Sequence, residues 1–207
     1  MEDIWLSSAK RIRAIASTGM HYARDRYDVE RYQELHAIAL QMLARLGGVP
    51  LSRIEQLVSQ TGKGYETPKV DVRGAVFSGE RILLVQEISD GLWTLPGGYA
   101  EVGSSPSENV IAEVWEETRL KVVPKSLYAI RHKAKHEYPQ DVRDFYKLFF
   151  ICERVDDRDP EPGPEVAALD YFEQQNLPPL STGRVLPKDV HAAFMHMRAS
   201  KPNTEFD

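Results

Sequence analysis

Glu113, Glu116 and Glu117 stand at i, i+3 and i+4 in a stretch that opens with helix-start signals. On an α-helix that spacing gathers three carboxylates on one face, where exposed like charges repel by about 0.2–0.5 kcal/mol per pair. A cation among them relieves the repulsion. An all-oxygen set suits a hard divalent ion, Mg²⁺ or Mn²⁺, held partly by the protein and partly by a substrate phosphate. Spacing alone also describes a solvated acidic face; the glycines upstream favour the chemical reading. In Leu95-Pro96-Gly97-Gly98 the two glycines let the backbone approach a phosphate or metal where a side chain would intrude. The Gly97 carbonyl is a candidate further ligand and Gly98 a candidate substrate contact.

The elements that must position these groups are legible around them. Ser105-Pro106-Ser107-Glu108 reads as an N-cap, a proline at the first helical position and a glutamate completing a capping box. Val110, Ile111, Val114 and Thr118 then fall opposite the glutamates, as on a helix lying against a sheet. Lys69 to Phe77 and Glu80 to Glu87, separated by Ser78-Gly79, predict a hairpin. Ile82-Leu83-Leu84-Val85 is apolar on both faces and predicts a central strand covered on both sides. Ser126 to His132, Phe145 to Arg154 and Ala168 to Phe172 supply further strands, and Pro187 to about Ala199 a last helix.

With that context in place, the stretch from Gly98 to Leu120 resembles the signature of the Nudix hydrolases: a glycine, five residues, a glutamate, seven residues, Arg-Glu, two residues, Glu-Glu, one residue and a glycine. The register places the metal-binding glutamates on Glu113, Glu116 and Glu117, with aliphatic residues at Val114 and Leu120. Three positions depart from it. Ser104 replaces the first glutamate, Ala112 the arginine and Arg119 the final glycine. In the family the first glutamate and the arginine resemble a supporting pair, so their joint loss strands no buried charge. Arg119 stands where a left-handed residue is expected, at a cost of about 1 kcal/mol for a side chain.

The resemblance implies an α/β/α sandwich with a mixed sheet, preceded by a small helical domain: residues 1–66 helical, 67–207 catalytic. Ile4 to about Ala23 carries apolar residues at helical spacing, Asp28 is placed to cap a second helix running to Leu46, and a third follows Pro50 and closes at Gly62. This segment has nine positive and eight negative residues, which excludes a basic DNA-reading module. Three such helices bury little alone, so a homodimer through them is expected. The net charge of −5 gives no nucleic-acid footprint, and no apolar run approaches the ~18 residues of a membrane span. Met1-Glu2-Asp3 lacks the basic start of a secretory signal, which points to the cytoplasm. The lone Cys152, within Phe149-Phe150-Ile151-Cys152, reads as a buried small hydrophobe.

A fourth carboxylate is often needed to take a proton from an attacking water or to complete a second metal's ligand set. The stretch from Glu165 to Phe172 resembles the loop-then-strand segment where many Nudix enzymes place an acidic residue, which makes Glu165 the candidate, with Glu161 as rival; Glu117 is the other candidate base. Trp93, Tyr99, His136 and Tyr138 are candidate substrate contacts, the last two in a polar loop from Lys133 to Asp144 that also follows His132. The resemblance extends to a bacterial subgroup with a helical N-terminal segment that hydrolyses X-linked nucleoside diphosphates. It implies metal-dependent cleavage of a pyrophosphate bond, with CDP-choline ranked slightly ahead of ADP-ribose. A choline headgroup would take cation–π contacts from Tyr99, Tyr138 or Trp93. The alternative is a catalytically weak nucleotide sensor acting on a partner through the helices.

Overall fold

The computed structural model describes residues 2–59, 65–200 and 202–207. The chain divides into two units, one formed by Met1–Pro68 with Gln140–Asp144, the other by Lys69–Pro139 with Phe145–Asp207. The first division falls between Pro68 and Lys69, just after the Thr67-Pro68 step, where proline biases the preceding residue away from helix.

In the first unit, helix α1 spans Ile4–Tyr22, α2 Arg26–Leu46 and α3 Leu51–Ser59. Asp3 caps α1 through the amides of Trp5 and Leu6. The cap of α2 is Asp25, accepting from Tyr27 and Asp28, and not Asp28 itself. Asp28 lies in the first turn, where its charge still complements the helix dipole. The expected close of the third helix at Gly62 lies outside the described residues. Leu6, Ala9, Leu40, Leu43, Ala44, Ile54 and Val58 form the unit's core, with Val142 packed against it. Lys10 pairs with Asp144 at 2.8 Å, so the far half of the Lys133–Asp144 loop belongs to the helices.

The second unit is a mixed sheet with a helix on each face. Its strands are β1 (Lys69–Ser78), β2 (Arg81–Glu87), β3 (Trp93–Thr94), β4 (Val122–His132), β5 (Phe145–Arg154), β6 (Val166–Glu173) and β7 (Glu205–Phe206). The order is β3-β2-β1-β5-β4-β7, with β6 paired to β2. β1 runs parallel to β5, and β4 to β7. Helices α4 (Pro106–Thr118) and α5 (Pro187–Arg198) complete the unit. β2 is buried on both faces as its composition requires: Ile82 and Leu84 pack with Val190, Ala193 and Phe194 of α5, and Leu83 with Val110 and Val114 of α4. Cys152 is buried in the α4-side core, where loss of solvent pushes its thiol up to about 12.

β1 changes neighbours along its length. Its pairing with β2 is confined to Phe77↔Ile82 and Ser78↔Arg81. Further back the glycine-containing segment takes that place: Val72 N–H donates to the Gly98 carbonyl, Gly74 N–H to that of Pro96, and Ala100 N–H to that of Val70. The loop expected to do chemistry is thus hydrogen-bonded as a surrogate strand.

Candidate active site

α4 starts as its sequence dictates. Ser105 Oγ accepts from Glu108 N–H at 3.2 Å, and Ser105 N–H donates to the Glu108 carboxylate at 2.7 Å. Asn109, which the sequence reading passed over, ties down the preceding loop. It accepts from Glu101 N–H at 2.8 Å and donates to the Ser104 and Ser105 carbonyls.

At the other end Arg119 adopts the left-handed conformation, φ 58°, that the family's glycine would take. The last carbonyls of α4 are satisfied by the second polar loop: Glu161 N–H donates to Thr118 and Gly163 N–H to Glu117, both at 2.9 Å. This answers the requirement that a helix's terminal carbonyls find donors. Glu161, the rival fourth carboxylate, therefore serves the helix end through its backbone.

The glycines and the glutamates meet. Gly97, at φ +142°, passes so close to β1 that a Cβ would stand 2.0 Å from the Val72 carbonyl oxygen. Its N–H donates to Glu117 Oε2 at 3.0 Å. The flanking carbonyls of Pro96 and Gly98 are turned toward β1, accepting from Gly74 and Val72. Gly98 abuts Glu113, whose Oε1 would be 2.7 Å from a Cβ placed there.

Burial pushes the Glu117 carboxyl up to about 8, opposed by Arg73 and by the Gly97 N–H and reinforced by Glu87 and Glu113. Burial likewise pushes Glu113 up to about 7, opposed by Arg73 and reinforced by Glu116, Asp71 and Glu165. Glu116 and Glu165 are exposed, on the solvent side of this pair. Glu165 is thus within electrostatic reach of Glu113.

Three charged residues that the sequence reading missed complete the surroundings. Arg73 and Asp71 alternate along β1 and are buried together, paired at 2.8 Å. Glu87, at the end of β2, acts on both Glu117 and Arg73 and is held by Arg184 at 3.1 Å. Charged residues at alternate positions in an otherwise apolar strand are the signal that could have found the β1 pair.

The aromatic candidates separate. Tyr99 follows Gly98, stays half-exposed and stacks on Phe145 with centroids 5.7 Å apart, Lys69 lying over its ring. Trp93 packs edge-on against Phe172 at 4.8 Å, and its backbone is bonded to Pro179 and Ser181. Tyr138 is buried, its hydroxyl donating to Asp189. His136 lies between Asp207, 2.5 Å from Nε2, and Lys188, 2.8 Å from Nδ1.

Residues 67–194 match the NUDIX domain. The chain belongs to the Nudix hydrolase family. Residues 3–58 of this Nudix hydrolase match the UDP-X-like, N-terminal oligomerisation domain. It is 42% identical, over 98% of its length and 97% of the relative's, to YjhB of Bacillus subtilis (strain 168), provisionally named an ADP-ribose pyrophosphatase. Among solved structures it is similar to an ADP-ribose pyrophosphatase from Streptococcus suis 89-1591, with 37% identity and a TM-score of 0.62, covering 68% of this chain and all of that one. It is also similar to a UDP-X diphosphatase, with 28% identity and a TM-score of 0.64 over 98% of each chain.

Nudix hydrolases generally use divalent metal ions. Among the described residues no three acidic, imidazole or thiol side chains converge as a formed metal cluster. The donor chemistry nevertheless fits such an ion: all-oxygen groups, with two carboxyls whose burial raises their proton affinity and which a divalent cation would compensate.

Proposed function

We propose that this Nudix hydrolase cleaves the pyrophosphate bond of X-linked nucleoside diphosphates in a reaction that needs a divalent metal ion. The observation that carries the reading is the meeting of Gly97 and Gly98 with Glu117 and Glu113 on one face of α4. Glu113, Glu116, Glu117 and the Gly97 carbonyl would hold Mg²⁺ or Mn²⁺. Once bound, that ion neutralises phosphate charge and acidifies a water. The Gly97 amide fixes one oxygen of Glu117. Glu165, exposed beside Glu113, or Glu117 itself accepts the water's proton, and Gly98 with Tyr99 borders the diphosphate.

The resemblance, with Tyr99, Tyr138 and Trp93 as candidate cation–π contacts, ranks CDP-choline slightly ahead of ADP-ribose. Trp93 and Tyr138 are committed to internal partners, leaving Tyr99 as the exposed ring beside the glycines. The names of YjhB and the Streptococcus suis enzyme favour ADP-ribose, and we place it ahead. Measuring kcat/KM for ADP-ribose, CDP-choline, a UDP-sugar and a nucleoside triphosphate at one Mg²⁺ concentration tests this. A clear preference for the triphosphate overturns the substrate class, as full activity in excess EDTA overturns the metal requirement.

The helical unit's match to an oligomerisation domain supports a homodimer, as do the exposed apolar residues Ile4, Ile15 and Tyr22 of α1 and Tyr27, Leu35 and Ile38 of α2. A monomer mass by light scattering at micromolar concentration overturns it. Among the described residues no helix is long and apolar enough to cross a membrane. A cytoplasmic location is part of this reading, tested by fractionating cells that express the protein.

A further inference from the structure

The signature's supporting pair is absent: Ser104, in the loop before α4, and Ala112, on the helix, are both exposed and neither carries charge. A fixed cation reaches the carboxylates from the strand beneath. The Arg73 side chain is 5% exposed, and its Nε and Nη2 are held by the two oxygens of Asp71 at 3.1 and 2.8 Å. Its Nη1 donates to the Leu95 carbonyl at 3.1 Å. Its Cα lies directly under Gly97, 2.9 Å from where a Cβ on that glycine would stand. Arg73 therefore supports the segment Leu95–Gly97 by side chain and backbone, and that segment presents the amide that grips Glu117. Lys147 bonds Asp71 from β5 at 2.7 Å, so the anion that holds Arg73 is itself anchored to the neighbouring strand. The guanidinium is also the largest charge acting on both Glu113 and Glu117.

We propose that Arg73 is the positioning residue of the carboxylate site, holding the Leu95–Gly98 segment and the pair Glu113 and Glu117 in register, a task that the α4 arginine resembles in other members of the family. The proposal rests on the reading of Glu113, Glu116 and Glu117 as metal ligands. Arg73 touches the ligands' support, not the reacting atoms. Its removal should act first on metal affinity and on kcat, with KM for substrate little changed.

The test is calorimetric titration of the full chain with Mn²⁺, alongside kcat and KM. Arg73→Lys keeps the charge but loses the two-pronged grip and the Leu95 bond. Arg73→Met with Asp71→Leu and Lys147→Met replaces the whole buried cluster by apolar groups, an exchange that folded proteins often tolerate. Both should weaken Mn²⁺ binding about tenfold to hundredfold, the usual effect of removing a group that orients ligands. Ser104→Glu with Ala112→Arg, added to the apolar variant, should recover at least part of that loss by returning a cation to the helix. A merely structural Arg73 would not respond to that addition. Unchanged or tighter Mn²⁺ binding in both variants overturns the proposal, as does absence of any recovery. A wild-type chain that binds no Mn²⁺ overturns the metal reading and the proposal together, whereas wild-type binding matched by the variants overturns the proposal alone.

Discussion

Two sets of carboxylates are withdrawn from water, Asp71 and Asp189 in one and Glu113 and Glu117 of α4 in the other, and they are treated differently. Burial pushes Asp71 up, but Arg73 and Lys147 outweigh it and hold its carboxyl below the ordinary value. Asp189, wholly buried at the start of α5, accepts through Oδ2 from the Leu186 amide at 2.8 Å and from the Tyr138 hydroxyl, with Arg131 3.7 Å from Oδ1. Glu113 and Glu117 are withdrawn without equal compensation and sit at about 7 and about 8. Paired burial builds the fold, whereas burial on α4 without an equal partner is what the proposed metal site would draw on. A perturbed carboxyl thus marks function only where its partners are too few.

The comparison breaks first at Asp71. Asp71→Asn leaves two buried cations sharing no anion and should cost about 3–5 kcal/mol of stability, read by urea denaturation. A loss below 1 kcal/mol would mean the cluster is not the structural half of the contrast. Glu117→Gln should act the other way. It removes a charge the fold does not compensate, so turnover falls about a hundredfold or more while the metal-free protein at pH 8.5 melts no lower than wild type. Preserved turnover would end the functional half.

The pH dependence sharpens the contrast. Glu113 and Glu117 have folded values raised above 4.5, so the native state binds more protons than the unfolded chain between those limits. Their contribution to stability therefore falls as pH rises from about 5 through 8. Melting temperature in EDTA should decline across that window, and the increment from saturating Mn²⁺ should grow across it; a constant increment contradicts the assignment. Smallest is Arg119→Gly, which relieves the left-handed conformation but loses the guanidinium over Trp115. A gain under about 1 kcal/mol is expected by thermal melting, with turnover unchanged.

Local chemistry explains what the sequence disclosed. The capping box, the glutamate spacing on α4 and the two-faced β2 depend on neighbours within a few residues, and each stands where read. Asp25 and Asp28 show the limit: either could cap α2, and only the backbone turn decides. Lys147 was hidden because its bond to Asp71 spans 76 residues and exists only once β1 and β5 lie side by side, whereas the Asp71–Arg73 pair left its trace in the alternation along β1. Tyr138 and Trp93 were misleading for the same reason, since an aromatic in a loop or beside a glycine does not announce that its partner is Asp189 or Phe172.

The pairing of β1 with the Pro96–Ala100 segment has a consequence for motion. A loop that closes over a substrate ordinarily opens on its own, at little free-energy cost. Here the amides of Val72, Gly74 and Ala100 are engaged between that segment and a central strand, so freeing it means opening the sheet. These amides belong with the slow-exchanging protons of the molecule, and this wall of the site should keep its shape through every excursion short of unfolding.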